Sequence, residues 1–371
     1  MTLISPERYH GLDALRATAM LFGIVIHALL PYTEPEIMIA FAPETAGDPP
    51  PEASKYWFVL ILWIHQWRMP VFFLLAGFFA ALVIERKGPA AFLADRSLRL
   101  LGALILFLTL ITLITDKPWA ELHHLWFIWF LVQFCAVAIF AHWIRLGAAM
   151  RPTLWIFGSL RRMALILIVM VPLTVFAKEN FLLQVIPKNL WDFAWQGLLY
   201  YGFFFVIGIG LWNRRERIKE LAAPAIWGTL IGISTCVLIL LAVLRYIEAD
   251  APVVFALSIP IGQFALIFGL IGAAHALVRA GGPVLTFLVE SSYAVYIVHV
   301  YIIMGVSVQF ILAGYSSSVV VPLSIAITLL LSISVYVIFV RYTPLDWVMA
   351  GPKKARFRWP FGPFNRLRSQ G

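Results

Sequence analysis

Charged residues are scarce in this chain of 371 residues, of which only 13% are Asp, Glu, Lys or Arg and 62% are hydrophobic. Soluble domains carry about 25% charged residues and about 45–50% apolar ones. The composition therefore excludes a mainly soluble protein. A mean hydropathy of +0.89 is typical of a chain that crosses a membrane several times.

Cysteines are rare and the common cofactor motifs are missing. The two cysteines, Cys135 and Cys236, both lie in apolar runs, which argues against a disulfide framework and against a thiolate metal site. The sequence contains no P-loop, no Rossmann glycine motif and no His-Glu-x-x-His motif. It also lacks the internal repeat that many transporters carry. We therefore expect no bound cofactor and no metal site.

Long apolar runs are what the sequence does contain, and they predict an all-α fold, a polytopic membrane bundle of about ten transmembrane helices. A bilayer core about 30 Å thick requires roughly 20 mostly apolar residues per helix. We expect a single transmembrane domain over residues 1–350 and a basic tail over 351–371. The predicted spans are 12–32, 56–84, 98–115, 123–144, 163–177, 193–212, 223–244, 252–278, 284–312 and 319–340.

Basic residues are concentrated in alternate loops, and this predicts the orientation of the chain. Because cytoplasmic loops are enriched in Lys and Arg, we expect both termini in the cytoplasm and an even number of spans. The same bias accounts for the net charge of +9, so we expect no nucleic-acid partner. The basic tail is expected to contact anionic membrane lipid. The side opposite the basic loops carries only Lys55, Lys117, Lys178, Lys188 and Arg245.

The first predicted helix holds three ionisable residues, Asp13, Arg16 and His27. Such residues are costly inside a bilayer, so each one is by default a candidate functional residue. The eleven residues from Arg16 to His27 rise about 16 Å, roughly half of the hydrocarbon core. We therefore expect this helix to hold a cation near the inner face and a proton acceptor well inside the membrane.

Other polar residues fall on the same two levels. Arg96 and Arg99 open the third span from the inner side and share one helical face, and Glu290 lies at a similar depth. His65 and Arg68 lie in the outer part of the second span, again three residues apart on one face. The remaining outer candidates are His123, His124, Trp126, Tyr293, Tyr296 and His299.

Simpler interpretations of these residues remain open. An intramembrane histidine can serve only as a hydrogen-bond partner between helices. Arg96 and Arg99 can be ordinary residues of a cytoplasmic loop. Asp13 and Arg16, three residues apart, can simply neutralise each other.

The order and spacing of the motifs resemble a known family, from residue 8 to about residue 350. The chain is similar to the membrane acyltransferase type 3 family in Arg16 with His27, in the run Phe72–Phe78 and in the pair Arg96-x-x-Arg99. Within that family, the stretches 65–73, 124–127 and 291–299 resemble the OpgC (MdoC) branch, the glucan succinyltransferases.

The resemblance implies a multi-pass enzyme of the bacterial inner membrane, with residues 1–350 as the acyltransferase domain. Its donor would be a cytoplasmic acyl-coenzyme A, acting as co-substrate, and its acceptor a periplasmic carbohydrate. The branch implies succinyl-coenzyme A as the donor and the osmoregulated periplasmic glucan as the acceptor. The resemblance also implies that His27 is essential and that Arg16, Arg96 and Arg99 serve in use of the donor.

A mechanism for such a transfer needs a base, a group that stabilises the oxyanion and a held donor. We expect His27 to be the base, because an unperturbed imidazole has a pKa of about 6.5, and Arg68 or His65 to stabilise the oxyanion or orient His27. Direct transfer and an acylated enzyme both remain open. The residues expected to hold the donor, whose phosphates suit guanidinium groups, are Arg16, Arg96, Arg99 and Asp13. The residues expected to bind the acceptor or to support the site are His124, Trp126, Glu290, Tyr293 and His299.

Two other classes of protein fit part of this pattern. A proton-coupled transporter of a small solute or glycan would also carry buried charges. A non-catalytic membrane subunit of a polysaccharide machine would share the fold without needing the ionisable residues for catalysis. Within the enzyme class, an acetyl group is the nearest alternative to succinyl.

Overall fold

The computed structural model describes residues 9–33, 35–45, 51, 55–115, 118–144, 151–178 and 184–351. In these ranges all regular structure is helical apart from two isolated β-bridges, which confirms the all-α prediction. The helices are α1 (His10–Thr33), α2 (Pro35–Phe41), α3 (Lys55–Lys87), α4 (Pro89–Arg96), α5 (Gly102–Thr115), α6 (Trp126–Trp143), α7 (Arg151–Ile156), α8 (Leu160–Met163), α9 (Ile166–Phe176), α10 (Trp195–Asn213), α11 (Glu216–Leu221), α12 (Pro224–Tyr246), α13 (Pro252–Leu277), α14 (Pro283–Leu312), α15 (Ser317–Val335) and α16 (Leu345–Ala350).

Nine helical stretches in the described part of the chain are long and apolar enough to cross a membrane. Two of them contain a π-helical turn, at Ser97–Leu101 between α4 and α5 and at Tyr336–Val340 after α15. The predicted span 163–177 is the one that does not reach this length. It consists of the 11-residue helix α9, which follows the four-residue helix α8 after a turn.

The broken stretch α7–α9 nevertheless runs along α10 from one end of that helix to the other. Near one end of α10, a Cβ placed on Gly210 would lie 3.0 Å from the Cβ of Thr153. At the opposite end, Gly197 packs against the carbonyl of Val185, whose N–H donates to Ala177 just after α9. The broken stretch therefore packs along the full length of α10, and the expected even number of spans stays a prediction.

Small residues allow the longest helices to pack backbone against backbone. Gly77 of α3 lies against the carbonyl oxygen of Phe205, and Gly208 of α10 lies against that of Leu74. A Cβ at either position would overlap backbone atoms. Close approach at small residues is how membrane helices gain van der Waals contact without a hydrophobic driving force. These contacts fix α3, which carries part of the site described below.

The periphery of the bundle is apolar and outward-facing. Most of the apolar stretch of α12 is not buried inside the protein. Its exposed side chains include Ile233, Ile239 and Val243. A surface of this kind suits lipid tails rather than water. The chain is therefore a multi-pass membrane protein. Of the predicted tail, residues 352–371 lie outside the described residues.

Candidate active site

Three histidines from different parts of the chain meet inside the bundle. The ring centroids of His27 on α1 and His299 on α14 are 5.1 Å apart, and those of His299 and His124, just before α6, are 6.0 Å apart. His299 is fully buried and His124 nearly so. His27 thus faces the interior of the bundle rather than lipid. We call His27, His124 and His299, together with Arg68 and Tyr296, the histidine cluster.

Backbone carbonyls hold two of the imidazole rings. Nδ1 of His299 lies 2.6 Å from the carbonyl oxygen of Tyr296, and Nε2 of His124 lies 2.8 Å from that of Ile297. Because a carbonyl only accepts, each ring donates through that nitrogen and keeps a lone pair on the other. Nε2 of His299, Nδ1 of His124 and Nδ1 of His27 are buried with no hydrogen-bond partner among the described residues. The cluster therefore gathers three nitrogens that can accept a proton.

The backbone at His123 directs the next residue into the histidine cluster. His123 has a φ of +46°, a left-handed conformation that costs a residue with a Cβ about 1–2 kcal/mol. The Tyr296 hydroxyl donates to the carbonyl of His124 and so holds this turn against α14. The ring of His123 instead lies beside Glu121, with Nε2 3.6 Å from a carboxylate oxygen. Of these two adjacent histidines, only His124 contributes to the cluster.

Arg68 reaches from α3 across to α1 at the edge of the histidine cluster. Its Nε donates to the carbonyl oxygen of Ala19 over 2.9 Å. A Cβ placed on Gly23 would lie 2.7 Å from a terminal nitrogen of Arg68 and 3.2 Å from Nε2 of His299. The missing side chain of Gly23 is therefore what leaves room for the guanidinium group beside His299. No motif in the sequence pointed to Gly23, although it lies four residues before His27.

His65, which is expected to stabilise the oxyanion or orient His27, lies outside the histidine cluster. Its Nδ1 lies 3.1 Å from the carbonyl oxygen of Ile61, one turn back on α3, so the ring bonds to its own helix. The ring also lines a cavity of about 300 Å³ between α3, α9 and α13, which we call the lateral cavity. His65 is near enough to His27 for an electrostatic interaction. It therefore lies between the lateral cavity and the histidine cluster.

The basic residues predicted at the inner level also come together. Arg16 pairs with Asp13 over 3.3 Å, and Arg99 pairs with Asp95 over 3.7 Å. Arg96 is 3.8 Å from the same Asp95 carboxylate and is near enough to Arg16 to repel it electrostatically. All three guanidinium groups are partly exposed. We call Arg16, Arg96 and Arg99, with Asp13 and Asp95, the arginine mouth.

Two distant parts of the chain hold Arg99 in place. Its Nε donates to the carbonyl oxygen of Met349 in α16 over 3.2 Å. The hydroxyl of Tyr293 on α14 donates to the backbone carbonyl of Arg99 over 2.8 Å, close to the π-helical turn Ser97–Leu101 that contains Arg99. The sequence motifs did not indicate Met349, and Asp95 could have been found only from its position four residues before Arg99.

Three of the residues expected to bind the acceptor or to support the site lie outside the histidine cluster. Tyr293 adjoins the arginine mouth through its hydrogen bond to the carbonyl of Arg99. Glu290, partly buried, lies one turn before Tyr293 on α14. Trp126 packs in the aromatic core, with its ring centroid 5.4 Å from that of Tyr201. Their roles stay predictions.

One face of α1 joins the arginine mouth to the histidine cluster. Arg16, Ala19, Gly23 and His27 follow one another at intervals of three or four residues, which keeps them on one side of an α-helix. The two residues between the ionisable ones are small, and Arg68 lies over both. No group of three His, Cys, Asp or Glu side chains within the described ranges is placed to hold a metal ion. The arrangement suits proton transfer at one end and anion binding at the other.

Comparison with known proteins agrees with this geometry. The family model described as an acyltransferase domain, that of the acyltransferase type 3 family, matches residues 9–337, a range that contains the histidine cluster and the three arginines of the mouth. No curated protein and no solved structure matches the chain. The match supports a membrane acyltransferase. It extends over most of the sequence, so the chain belongs to the acyltransferase type 3 family.

Proposed function

We propose that this protein is an O-acyltransferase of the bacterial inner membrane. It takes an acyl group from a cytoplasmic acyl-coenzyme A and transfers it to a hydroxyl of a carbohydrate on the periplasmic side. The observation that carries the proposal is the single face of α1 that joins Arg16 to His27 through Ala19 and Gly23. It links an anion-binding end to a proton-accepting end within one membrane-spanning helix.

His27 is the base in this proposal. Its Nδ1 is buried without a partner among the described residues, and its ring is 5.1 Å from that of His299. The imidazole takes the proton of the sugar hydroxyl as the hydroxyl oxygen attacks the thioester carbonyl. The carbon–sulfur bond then breaks, and the coenzyme A thiolate leaves with the proton that the imidazolium returns.

Arg68 is the group that stabilises the oxyanion of that step. Its terminal nitrogen and Nε2 of His299 both face the space above Gly23. Arg68 is 8% exposed, and a fixed positive charge acts more strongly in such a water-poor site than in water. His65 and His124 are the neighbouring residues that orient the cluster.

The arginine mouth holds the phosphates of the donor. Guanidinium binds phosphate in a bidentate manner, and Arg16, Arg96 and Arg99 repel one another when no anion is present. A bound polyphosphate relieves that repulsion. Asp13 and Asp95 keep the guanidinium groups in position through their ion pairs.

The acyl group we propose is succinyl, and the carbohydrate is an envelope glycan such as the osmoregulated periplasmic glucan. Both choices rest on the resemblance of the stretches 65–73, 124–127 and 291–299 to the glucan succinyltransferases. Acetyl is the competing acyl group. The roles proposed for the site residues concern the carbohydrate hydroxyl and the thioester, and none of them concerns the far end of the acyl chain.

The proposal is tested with the full chain in sealed vesicles. Acyl-coenzyme A is supplied on the face that carries the arginine mouth, and glucan is supplied on the other. We expect mass spectrometry of the glucan to show an added succinyl group with succinyl-coenzyme A. If only an acetyl group is added when both donors are offered, the transferred group is acetyl and not succinyl. No ester with either donor on any carbohydrate offered, free or joined to a lipid, would overturn the enzyme mechanism.

The variant His27→Ala tests the base. We expect a loss of transfer of roughly 10²-fold or more, as for the removal of a general base, with the protein still folded in the membrane. His142→Ala, at an exposed histidine at the end of α6, is the matched control and should keep full activity. Wild-type transfer by His27→Ala would remove His27 from the mechanism.

A further inference from the structure

The lateral cavity is separate from the arginine mouth and opens on another side of the bundle. Its volume of about 300 Å³ is bounded by α3, α9 and α13 and by Lys178 and Gln184. This volume lies at the small end of the range for ligand sites, so it suits one small ring rather than a long chain. Most of its wall is apolar, with Leu62, Val175, Phe255 and Ile259 among the lining residues.

Part of the wall of the lateral cavity consists of hydrogen-bonding side chains, namely His65, Gln66 and Gln263. Gln66 is 3% exposed, and Gln263 is bonded to the hydroxyl of Tyr200. His65 is partly exposed, and because its Nδ1 donates to the carbonyl of Ile61, its Nε2 keeps a lone pair. A hydroxyl of a sugar ring can donate a hydrogen bond to that nitrogen.

A cationic side chain also lines the lateral cavity. Lys178 and Gln184, which face each other across an isolated β-bridge, both line the cavity. Partial burial lowers the pKa of Lys178 below its ordinary value, because burial disfavours the charged form. An anionic ligand acts in the opposite direction and stabilises the ammonium group. The cavity therefore suits a ligand with a negative charge next to its ring.

The rim of the lateral cavity is continuous with the apolar surface of the bundle. Val175 on α9 is exposed, and so are Val253, Val254 and Leu257 on α13. Exposed aliphatic side chains on membrane-spanning helices face lipid tails. A ligand that enters here arrives from the bilayer, with its own apolar part lying against α9 and α13.

The lateral cavity lies on the part of α3 that also carries Arg68 of the histidine cluster. His65, which lines the cavity, is three residues before Arg68 and therefore on the same side of the helix. A hydroxyl held at His65 would be one helical turn from the guanidinium group that lies beside His299. We propose that the lateral cavity is the acceptor site and that it binds the sugar ring of a lipid-linked carbohydrate, with the anionic linkage at Lys178.

This inference rests on the proposed function and narrows its acceptor. A free glucan in the periplasm would have no use for an entrance from the bilayer. A sugar joined to a lipid through a phosphate matches all three features of the cavity. Its ring suits the hydrogen-bonding side chains, its phosphate suits Lys178, and its lipid suits the apolar rim. The reaction itself is unchanged, with the ring hydroxyl as nucleophile and His27 as base.

Binding is measured first, with no donor present. The probe is glucose joined through a phosphate to a polyprenyl chain, added to the full chain in nanodiscs. Ala256→Trp fills the cavity, because Ala256 lines it, whereas Ile261→Trp places the same side chain at an exposed position of α13 that neither lines the cavity nor belongs to its rim. We expect Ala256→Trp to weaken binding about tenfold or more and Ile261→Trp to leave it unchanged. Equal binding by the two variants would overturn the assignment.

A charge reversal gives a second measurement that leaves the helices intact. Lys178→Glu should weaken binding of the phosphate-linked probe about tenfold without affecting an alkyl glucoside that has an uncharged linkage. Lys188→Glu, at an exposed lysine in the segment before α10, is the control and should affect neither probe. A loss that is the same for both probes would exclude an anion site at Lys178.

Transfer assays separate this inference from the proposed function. If acyl groups pass to a free gluco-oligosaccharide as well as to the lipid-linked probe, and Ala256→Trp impairs neither, the acceptor site is wrong and the enzyme mechanism stands. If the lipid-linked probe binds with the expected losses but no carbohydrate is acylated, the cavity assignment stands and the proposed function is wrong.

Discussion

At the scale of single residues, the candidate site depends on side chains that are absent as well as on those that are present. Gly23 leaves the space in which the guanidinium group of Arg68 lies beside Nε2 of His299. The carbonyl of Ala19, one turn earlier, receives the bond from Arg68 Nε. Any side chain at Gly23 would have to displace a buried cation whose position the proposed mechanism needs.

The variant Gly23→Ala tests this dependence. The new methyl group would come within 2.7 Å of an Arg68 nitrogen, so we expect the guanidinium group to move and acyl transfer to fall about tenfold or more. The control is Gly232→Ala on α12, where a Cβ would meet nothing within 4 Å. That change should be neutral or stabilise the helix by up to about 1 kcal/mol. Equal acyl transfer by Gly23→Ala and Gly232→Ala would mean that the position of Arg68 does not affect catalysis.

The role of Arg96 can be tested without removing its charge. We expect Arg96→Lys to raise the KM for acyl-coenzyme A about tenfold, because lysine cannot form the bidentate contact with phosphate, and to leave the KM for the acceptor unchanged. Arg279→Lys, at an exposed arginine after α13, is the control. Steady-state kinetics at saturating acceptor gives the answer, and an unchanged donor KM would exclude Arg96 from donor binding.

At the scale of elements, a short helix near the end of the described chain completes the arginine mouth. Helix α16 presents the carbonyl of Met349 to Arg99. Gly351, just after α16, has a φ of +83°, and a Cβ there would lie 3.2 Å from a carboxylate oxygen of Asp95. The π-helical turn Ser97–Leu101 and α16 therefore position Arg99 together, although the residues involved are about 250 positions apart.

Two glycines with positive φ angles help to separate strain from positioning. Gly351→Ala and Gly314→Ala both place a Cβ on a residue with positive φ, +83° and +78°, and each should cost about 1–3 kcal/mol of stability. Only Gly351 adjoins Asp95 and Arg99, whereas a Cβ on Gly314 meets nothing within 4 Å. We expect thermal unfolding to shift in both variants and the donor KM to rise only in Gly351→Ala. A rise of the donor KM in both variants would mean that backbone strain, and not contact with Asp95 and Arg99, weakens donor binding at the arginine mouth.

At the scale of the whole molecule, the two levels of the site can serve one reaction only if they face opposite sides of the membrane. The last described helix, α16, lies at the arginine mouth, where it contacts the π-helical turn Ser97–Leu101. The broken stretch α7–α9 packs along α10, and a tenth crossing there stays a prediction. The expected cytoplasmic location of both termini remains a prediction from the loop charges.

Cysteine labelling tests that orientation. In a Cys236→Ser background, Trp191→Cys lies at an 83% exposed position before α10 and Lys219→Cys lies at an exposed position in α11. A membrane-impermeant maleimide added to intact spheroplasts should label the first variant and not the second. Permeabilised cells, in which both react, provide the control. Labelling of Lys219→Cys alone would invert the topology and, with it, the proposed direction of transfer.

The sequence by itself determined the all-α membrane fold, the approximate number of spans and the two levels of ionisable residues. It could do so because the bilayer imposes a length and a polarity on every crossing segment, and both are properties of a single run of residues. Spacing along α1 also placed Arg16 and His27 on one face, since helical geometry alone decides that.

Only the tertiary structure decided which of these residues meet. Helix packing brought His124 and His299 to His27, placed His65 at the lateral cavity, moved Tyr293 to the arginine mouth and sent Trp126 into the aromatic core. Contacts between helices depend on the shapes of side chains that are 100 or more positions apart in the sequence. One example is the hydrogen bond from Nε2 of His124 to the carbonyl oxygen of Ile297, 173 residues away. No local pattern encodes such distances, so the site had to be found from the packing.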